Sequence, residues 1–242
     1  MKPMNYKVDN AIIMAAGMSS RFAPISDECP KALIEVKSEI LIERQIRQLI
    51  EAKVSQVIIV VGYMKERFEY LKEKFGVIIV ENFEYATRNN HSSIYAVRKY
   101  LKNSYICSAD NYFSANPFKD EEEEAFYAAI HVDGPTNEWC ITTNQEGYIT
   151  KVDVGGRDTW VMLGHVFWTE KFSEKFLEIL KRGYDTEEIK NKLWESVYLD
   201  NIGSLKLKIK EYDANEIYEF DSIEELKEFD ENYRYNCDDG II

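Results

Sequence analysis

Long apolar runs are missing from this chain of 242 residues. No segment approaches the roughly 18 consecutive apolar residues that a membrane helix needs, which excludes a helical membrane span. The opening MKPMNYKVDN is polar and leads straight into the first apolar segment, so it does not read as a signal peptide. Paired cysteines are missing as well: Cys29, Cys107, Cys140 and Cys237 stand far apart, with no CxxC. That spacing argues against zinc and for reduced thiols in a cytoplasmic protein. Cys29 itself reads as a small apolar filler. Positive charge is scarce. Lys and Arg number 30 against 43 Asp and Glu, a net charge of −13. A general nucleic-acid binder would need a basic face and is excluded, whereas a nucleotide site needs only a few local cations.

What is present is enough apolar residue, 45%, for a large core. The most informative stretch runs AIIMAAGMSSRFAPISDECPKALIEV from Ala11. Ala11–Met14 is short and apolar enough for a buried parallel strand. Ala15, Ala16, Gly17, Ser19 and Ser20 follow as a turn of small residues that a phosphate can approach closely, its N–H groups forming an anion-binding concavity. Arg21 and Lys31 add a planar fork and a point charge beside it. A Walker A loop would need a second glycine and Gly-Lys-Ser/Thr. The dinucleotide fingerprint is absent too, because Gly17 stands alone.

Further on, Val57–Val61, ended by Gly62, and Val77–Val80 read as strands. Ile40–Ile50 and Met64–Phe75 read as helices, with Ala32–Val36 a short strand before them. This alternation predicts a mostly parallel α/β sheet with ligands at the carboxyl ends of its strands. In the segment from Ser104 to Tyr112 an apolar strand runs into Asp110, which that rule places over the ligand. A carboxylate facing a triphosphate needs a divalent cation between them, so Asp110 is a candidate Mg²⁺ ligand; a turn or cap role is the plainer reading. Lys119–Glu124 reads as a solvated charge run. The second half is richer in β structure: Ile149–Val154, a turn at Gly155–Asp158, then Trp160–Trp168. Helices over Thr169–Leu180 and Thr186–Tyr198 and a strand over Leu205–Ile209 complete it. Asp221-Ser222 begins a helix after Tyr218–Phe220 and reads at least as a cap.

The residues Met14-Ala15-Ala16-Gly17, Ser20-Arg21 and Pro30-Lys31, with Tyr218–Leu226 late in the chain, resemble the signature of the GT-A-like nucleotidyltransferases. Val61-Gly62-Tyr63, Tyr85 with Asn89-Asn90, Ala109–Tyr112, Thr136–Trp139, Phe167-Trp168, Trp194 and Ile217–Asp221 are similar to the bacterial LicC-type CTP:phosphocholine cytidylyltransferases. The resemblance covers nearly the whole chain. It implies a GT-A/Rossmann-like mixed, mostly parallel sheet flanked by helices, in one domain over 1–230. Residues 11–115 would form the nucleotide-binding half, 116–230 a β-rich acceptor half, and 231–242 a flexible tail or linker.

The implied reaction is CMP transfer from CTP to phosphocholine with Mg²⁺ as cofactor. Lys31 and Arg21 would be catalytic and Asp110 and Asp221 would hold the metal. Ala15, Ala16, Gly17, Ser19, Ser20, Gly62, Asn90, Ser92 and Ser93 would bind the nucleotide. Trp139, Trp194, Glu195 and Glu219 would bind the acceptor, aromatic faces and carboxylates suiting a quaternary ammonium; core packing is the plainer role for each Trp. The family's aromatic before Trp194 is Leu193 here, which leaves 2-aminoethylphosphonate as an alternative acceptor. A sugar 1-phosphate and a non-catalytic nucleotide sensor are the remaining alternatives. A choline kinase-like domain, fused or separate, is the implied partner.

Overall fold

The protein was analysed as a computed structural model, which describes residues 5–220 and 222–233; Asp221 and most of the expected tail lie outside the described residues. Seven strands form the main sheet: β1 (Asn10–Ala15), β2 (Val57–Val61), β3 (Ile78–Glu81), β4 (Ser104–Ser108), β5 (Phe126–Thr143), β6 (Ile149–Trp168) and β7 (Lys208–Tyr212). Their order is β7-β5-β6-β4-β1-β2-β3, and β6 alone runs against the other six. The mixed, mostly parallel sheet matches the expectation.

Side chains along β1 alternate between two apolar layers, as strand geometry requires. Ala11, Ile13 and Ala15 join a layer with Ile42, Ile46 and Leu49 of helix α1 (Leu41–Glu51) and Leu71 of helix α2 (Tyr70–Phe75). Ile12 faces the opposite layer, built from Ile94 of α3 (His91–Ala96), Phe176 of α4 (Glu170–Gly183) and Trp194 and Val197 of α5 (Trp194–Leu199). Burial on both faces explains why the parallel strands read as unbroken apolar runs.

A third, smaller cluster lies under the loop after β1. Phe22, Ile25, Cys29 and Ile34 pack there with Leu226 of α6 (Ile223–Phe229), so the loop carrying Lys31 is anchored from below. Cys29 is a buried filler, as its type suggests.

Several local expectations are corrected. Ala32–Val36 is no strand: Lys31–Leu33 forms a 3₁₀ turn and only Glu35–Val36 pairs, with Glu39–Ile40. The helix expected from Met64 begins as a 3₁₀ turn, Lys65–Phe68, before α2. Gly155–Asp158 does not close a hairpin; it bends β6, and Cys140 of β5 pairs with Asp153 on one side and Val161 on the other. The closing turn lies at Asn144–Tyr148, where Gly147 has φ +83°. The last sheet strand is Lys208–Tyr212 rather than Leu205–Ile209. Thr186–Tyr198 is two helical pieces, Glu187–Lys190 and α5. Glu122, inside the supposedly solvated charge run, is buried, taking the Tyr105 hydroxyl at 2.5 Å and Lys210 Nζ at 2.6 Å.

Candidate active site

The carboxyl ends of β1, β3 and β4 open into one cleft of about 240 Å³. Ala15, Ala16, Gly17 and Ser19 form one wall, Lys31 and Asp110 the second, and Asn82, Asn90, Ser92 and Ser93 the third. A Cβ added at Gly17 would meet no atom within 4 Å, so what glycine keeps open there is the cleft itself. Gly62 differs. It lies behind this loop, where an added Cβ would sit 2.6 Å from the Tyr85 ring and 2.8 Å from the Ala16 carbonyl. Its small size is a packing requirement that lets Tyr85 support the wall. Ser20 and Arg21 lie beyond the cleft lining, on the exposed turn Ser20–Phe22.

Lys31 is 6% exposed and its Nζ is 2.9 Å from Asp110 Oδ2. The Phe22 ring lies 5.1 Å from the same nitrogen, so the cation is fixed by an acid and an aromatic face. Asp110 is held in turn from α1: Gln45 Nε2 donates to the carbonyls of Ser108 (2.9 Å) and Asn111 (2.8 Å), on either side of it. Asp110 Oδ1 is buried with no hydrogen-bond partner among the described residues.

The third wall is a buried polar network. Asn82 Nδ2 donates to Ser92 Oγ (2.8 Å) and Ser93 Oγ (3.1 Å), and its Oδ1 accepts from the Glu84 N–H (2.9 Å). Ser92 gives its proton to the Asn89 carbonyl at 2.8 Å, so toward a ligand it offers only acceptor character. Arg88 also lines the cleft, its guanidinium stacked 4.3 Å over Tyr184 and hydrogen-bonded to Glu84.

Asn90 turns its side chain away from this network. Oδ1 accepts the Trp194 N–H at 2.7 Å, and Nδ2 donates to Glu195 Oε2 at 3.1 Å. Trp194 is buried, stacked on Tyr127 at 5.8 Å and edge-on to Trp168 at 5.2 Å. Burial pushes the Glu195 carboxyl up to about 7, against the hydrogen bonds from its own N–H and from Asn90. Burial pushes the Tyr127 phenol up, with smaller contributions from the charges of Glu195 and Glu219. Trp194, with Glu195 next to it in sequence, thus adjoins Tyr127, which the sequence reading missed. Trp139 stands opposite Val154 on the β5–β6 arm; among the described residues, the ring partners of Trp194 are Tyr127, Trp168 and Phe176. Asn82 was also missed, although it follows the end of β3 as Asp110 follows β4.

Residues 11–116 match the family described as the MobA-like NTP transferase domain. The chain is 36% identical over 221 residues to choline-phosphate cytidylyltransferase of Streptococcus pneumoniae, covering 91% of this chain and 96% of that protein. It is 35% identical over 239 residues to 2-aminoethylphosphonate cytidylyltransferase of Lancefieldella rimae, covering 97% of each. The solved CTP:phosphocholine cytidylyltransferase (LicC) of S. pneumoniae superposes with a TM-score of 0.88, covering 93% of this chain and 99% of that one. This protein belongs to the GT-A-like nucleotidyltransferases, alongside the LicC-type choline-phosphate cytidylyltransferases.

Proposed function

We propose that the protein transfers CMP from CTP to phosphocholine, yielding CDP-choline and pyrophosphate. The observation that carries this reading is that Asn90, on the wall of the nucleotide cleft, is hydrogen-bonded to Trp194 and Glu195 of an adjoining aromatic and acidic cluster. The cleft has a small-residue loop and a fixed cation; the cluster holds Trp194 stacked on Tyr127, with Glu195 beside Trp194. The first suits a triphosphate and the second a quaternary ammonium, which cannot donate a hydrogen bond and is held by aromatic faces and carboxylates.

In the reaction an oxygen of phosphocholine forms a bond to the α-phosphorus while the bond from that phosphorus to the pyrophosphate oxygen breaks. The acceptor phosphate is already an anion near neutral pH, so no general base is needed. The amides of Ala15–Gly17 orient the triphosphate, and Lys31 offsets the charge that develops; Arg21, read from the sequence as a second cation, lies on the exposed turn outside the cleft lining and would have to swing in to join it. Asn82 and Ser93 present amide and hydroxyl groups to the base.

Asp110 fits a magnesium ion in its donor chemistry: Oδ2 takes Lys31 and the buried Oδ1 has no partner among the described residues. Among the described residues no group of three or more His, Cys, Asp or Glu could hold a metal. Mg²⁺ is commonly held by one or two carboxylates and substrate phosphates. Asp110 would hold the ion, with Asp221 as the second ligand read from the sequence. When bound, the ion supplies charge neutralisation at the phosphates.

A second reading, 2-aminoethylphosphonate as acceptor, is favoured by Leu193, which puts an aliphatic side chain where the family has an aromatic. A primary amine would rely on Glu195 and Glu219 instead. In either case a choline kinase-like or analogous activity would supply the phosphorylated amine. Pyrophosphate release from CTP and Mg²⁺ should be measured with phosphocholine, phosphoethanolamine, 2-aminoethylphosphonate and glucose 1-phosphate. Phosphocholine should give the highest kcat/KM. A preference of about tenfold for 2-aminoethylphosphonate, ~1.4 kcal/mol, would overturn the choline reading, and no release with any acceptor would leave a nucleotide sensor.

A further inference from the structure

The segment Asn89–His91 does more than line the nucleotide cleft. It makes five hydrogen bonds to the chain just before and within α5. The Asn89 N–H and Nδ2 donate to the carbonyls of Lys190 (3.3 Å) and Asn191 (3.2 Å), and His91 Nδ1 donates to that of Lys192 (2.7 Å). Asn90 contributes the other two, to Trp194 N–H and Glu195 Oε2.

We propose that Asn90 is a positioning residue of the acceptor pocket: its side-chain amide holds Glu195, and the backbone of Trp194, in the arrangement that receives the acceptor's cationic end. This rests on the acceptor reading above. It departs from the base-contact role that the family resemblance implies for this position. The amide is used from both ends: Oδ1 satisfies a backbone N–H, and Nδ2 is the side-chain donor to the carboxylate.

The chemistry makes that donor consequential. Glu195 lies near the midpoint of its ionisation at neutral pH, raised by burial and lowered by its own N–H and by Asn90. From the other elements packed here it is faced by Asn90 and by Tyr127 of β5, whose phenol is pushed up by burial and by Glu195, Glu219 and Tyr198. His91 is buried, its pKa lowered chiefly by desolvation, and its Nδ1 is turned to Lys192. Removing the Asn90 donor therefore favours the neutral carboxyl, and a neutral carboxyl offers a cation no counter-charge.

Asn90→Asp isolates this effect, since it keeps an oxygen for the Trp194 N–H and sets an oxygen in place of the amide donor against Glu195. It should raise KM for phosphocholine about tenfold at pH 7 and change KM for CTP less than about twofold, a charge-assisted hydrogen bond being replaced by like charge. The ascending limb of kcat/KM for phosphocholine should move about one pH unit or more to the alkaline side. The substrate phosphate ionises identically in both assays and cancels. In a Glu195→Gln background Asn90→Asp should add no further loss.

A second measurement needs no turnover. Carboxyl ¹³C resonances of glutamate-labelled protein, with Glu195 assigned through Glu195→Gln, should titrate near pH 7 in the wild type and higher in Asn90→Asp. Identical titrations in the two proteins, additive losses in the double variant, or a rise in KM confined to CTP would each overturn the proposal. A wild type inactive on phosphocholine would instead refute the acceptor reading, and the titration would still decide the role of Asn90.

Discussion

Replacing Lys31 tests the nucleotide half of the site most directly. Its Nζ lies 2.9 Å from Asp110 and 5.1 Å from the Phe22 ring centroid, and the residue is 6% exposed. Two quantities change when it is removed. The first is catalytic: loss of one preorganised donor to developing charge lowers kcat by about 10²–10³, or ~2.7–4 kcal/mol. The second is structural. Breaking a fully buried ion pair costs ~3–5 kcal/mol, but the Asp110 side chain is 25% exposed and water can compensate it, so about 1–2 kcal/mol is expected. Lys31→Met keeps the apolar stem against Phe22, whereas Lys31→Ala deletes it. Both should therefore lose the same large factor in kcat, while only Lys31→Ala should lose several degrees more in Tm. Pyrophosphate release at saturating CTP and acceptor, with thermal unfolding in parallel, separates the two. A Lys31→Met enzyme within about threefold of wild-type kcat would remove the lysine from charge stabilisation.

Asp110→Asn should abolish activity, because it weakens a hard-cation ligand and removes the counter-charge of Lys31 together; a normal Mg²⁺ activation curve in this variant would refute the ligand role. Gly62→Ala forces a Cβ against the Tyr85 ring and the Ala16 carbonyl. It should cost ~1–3 kcal/mol of stability and raise KM for CTP, and unchanged values of both would show that Tyr85 can yield. His165 is buried among Tyr105, Phe113 and Phe126 with its pKa well below the ordinary range, burial being the main cause. The unfolded chain takes up this proton below about pH 6.5 and the native one does not, so this stability is present above that pH and declines as pH falls, by up to ~1.4 kcal/mol per pH unit. Tm between pH 8 and 5 should fall less steeply in His165→Gln, and parallel slopes would refute the assignment.

The nucleotide half was legible because its determinants are local. An apolar run followed by Ala15-Ala16-Gly17 has few conformational options, and an acid after β4 can only stand over the carboxyl edge of the sheet. The two-layer burial of β1 follows from the same run. What escaped the sequence depends on contacts between distant residues. Glu122 reads as solvent-facing in an acidic run, yet Tyr105 and Lys210, both remote in sequence, make its burial possible. Gly62 reads as a ligand contact until Tyr85 is seen against it. Tyr127 carries no local signal, since its partners Trp194, Glu195 and Glu219 all come from the other end of the chain.

The break between Glu187–Lys190 and α5 shows the same physics from the opposite direction. The sequence from Thr186 to Tyr198 holds nothing that stops a helix, neither proline nor glycine. The interruption spans Asn191–Leu193, where the carbonyls of Lys190, Asn191 and Lys192 are taken by Asn89 and His91. Helix propensity in such a short segment is worth only tenths of a kcal/mol per residue, whereas an intramolecular hydrogen bond contributes ~0.5–1.5, and three of them act here together. The cross-chain bonds therefore win over the local preference. Their winning lets the chain restart at Trp194, with Asn90 capping its backbone and Glu195 beside the nucleotide cleft. The placement of Trp194 and Glu195 is in this way set by the segment that lines the cleft, an arrangement that only the folded chain displays.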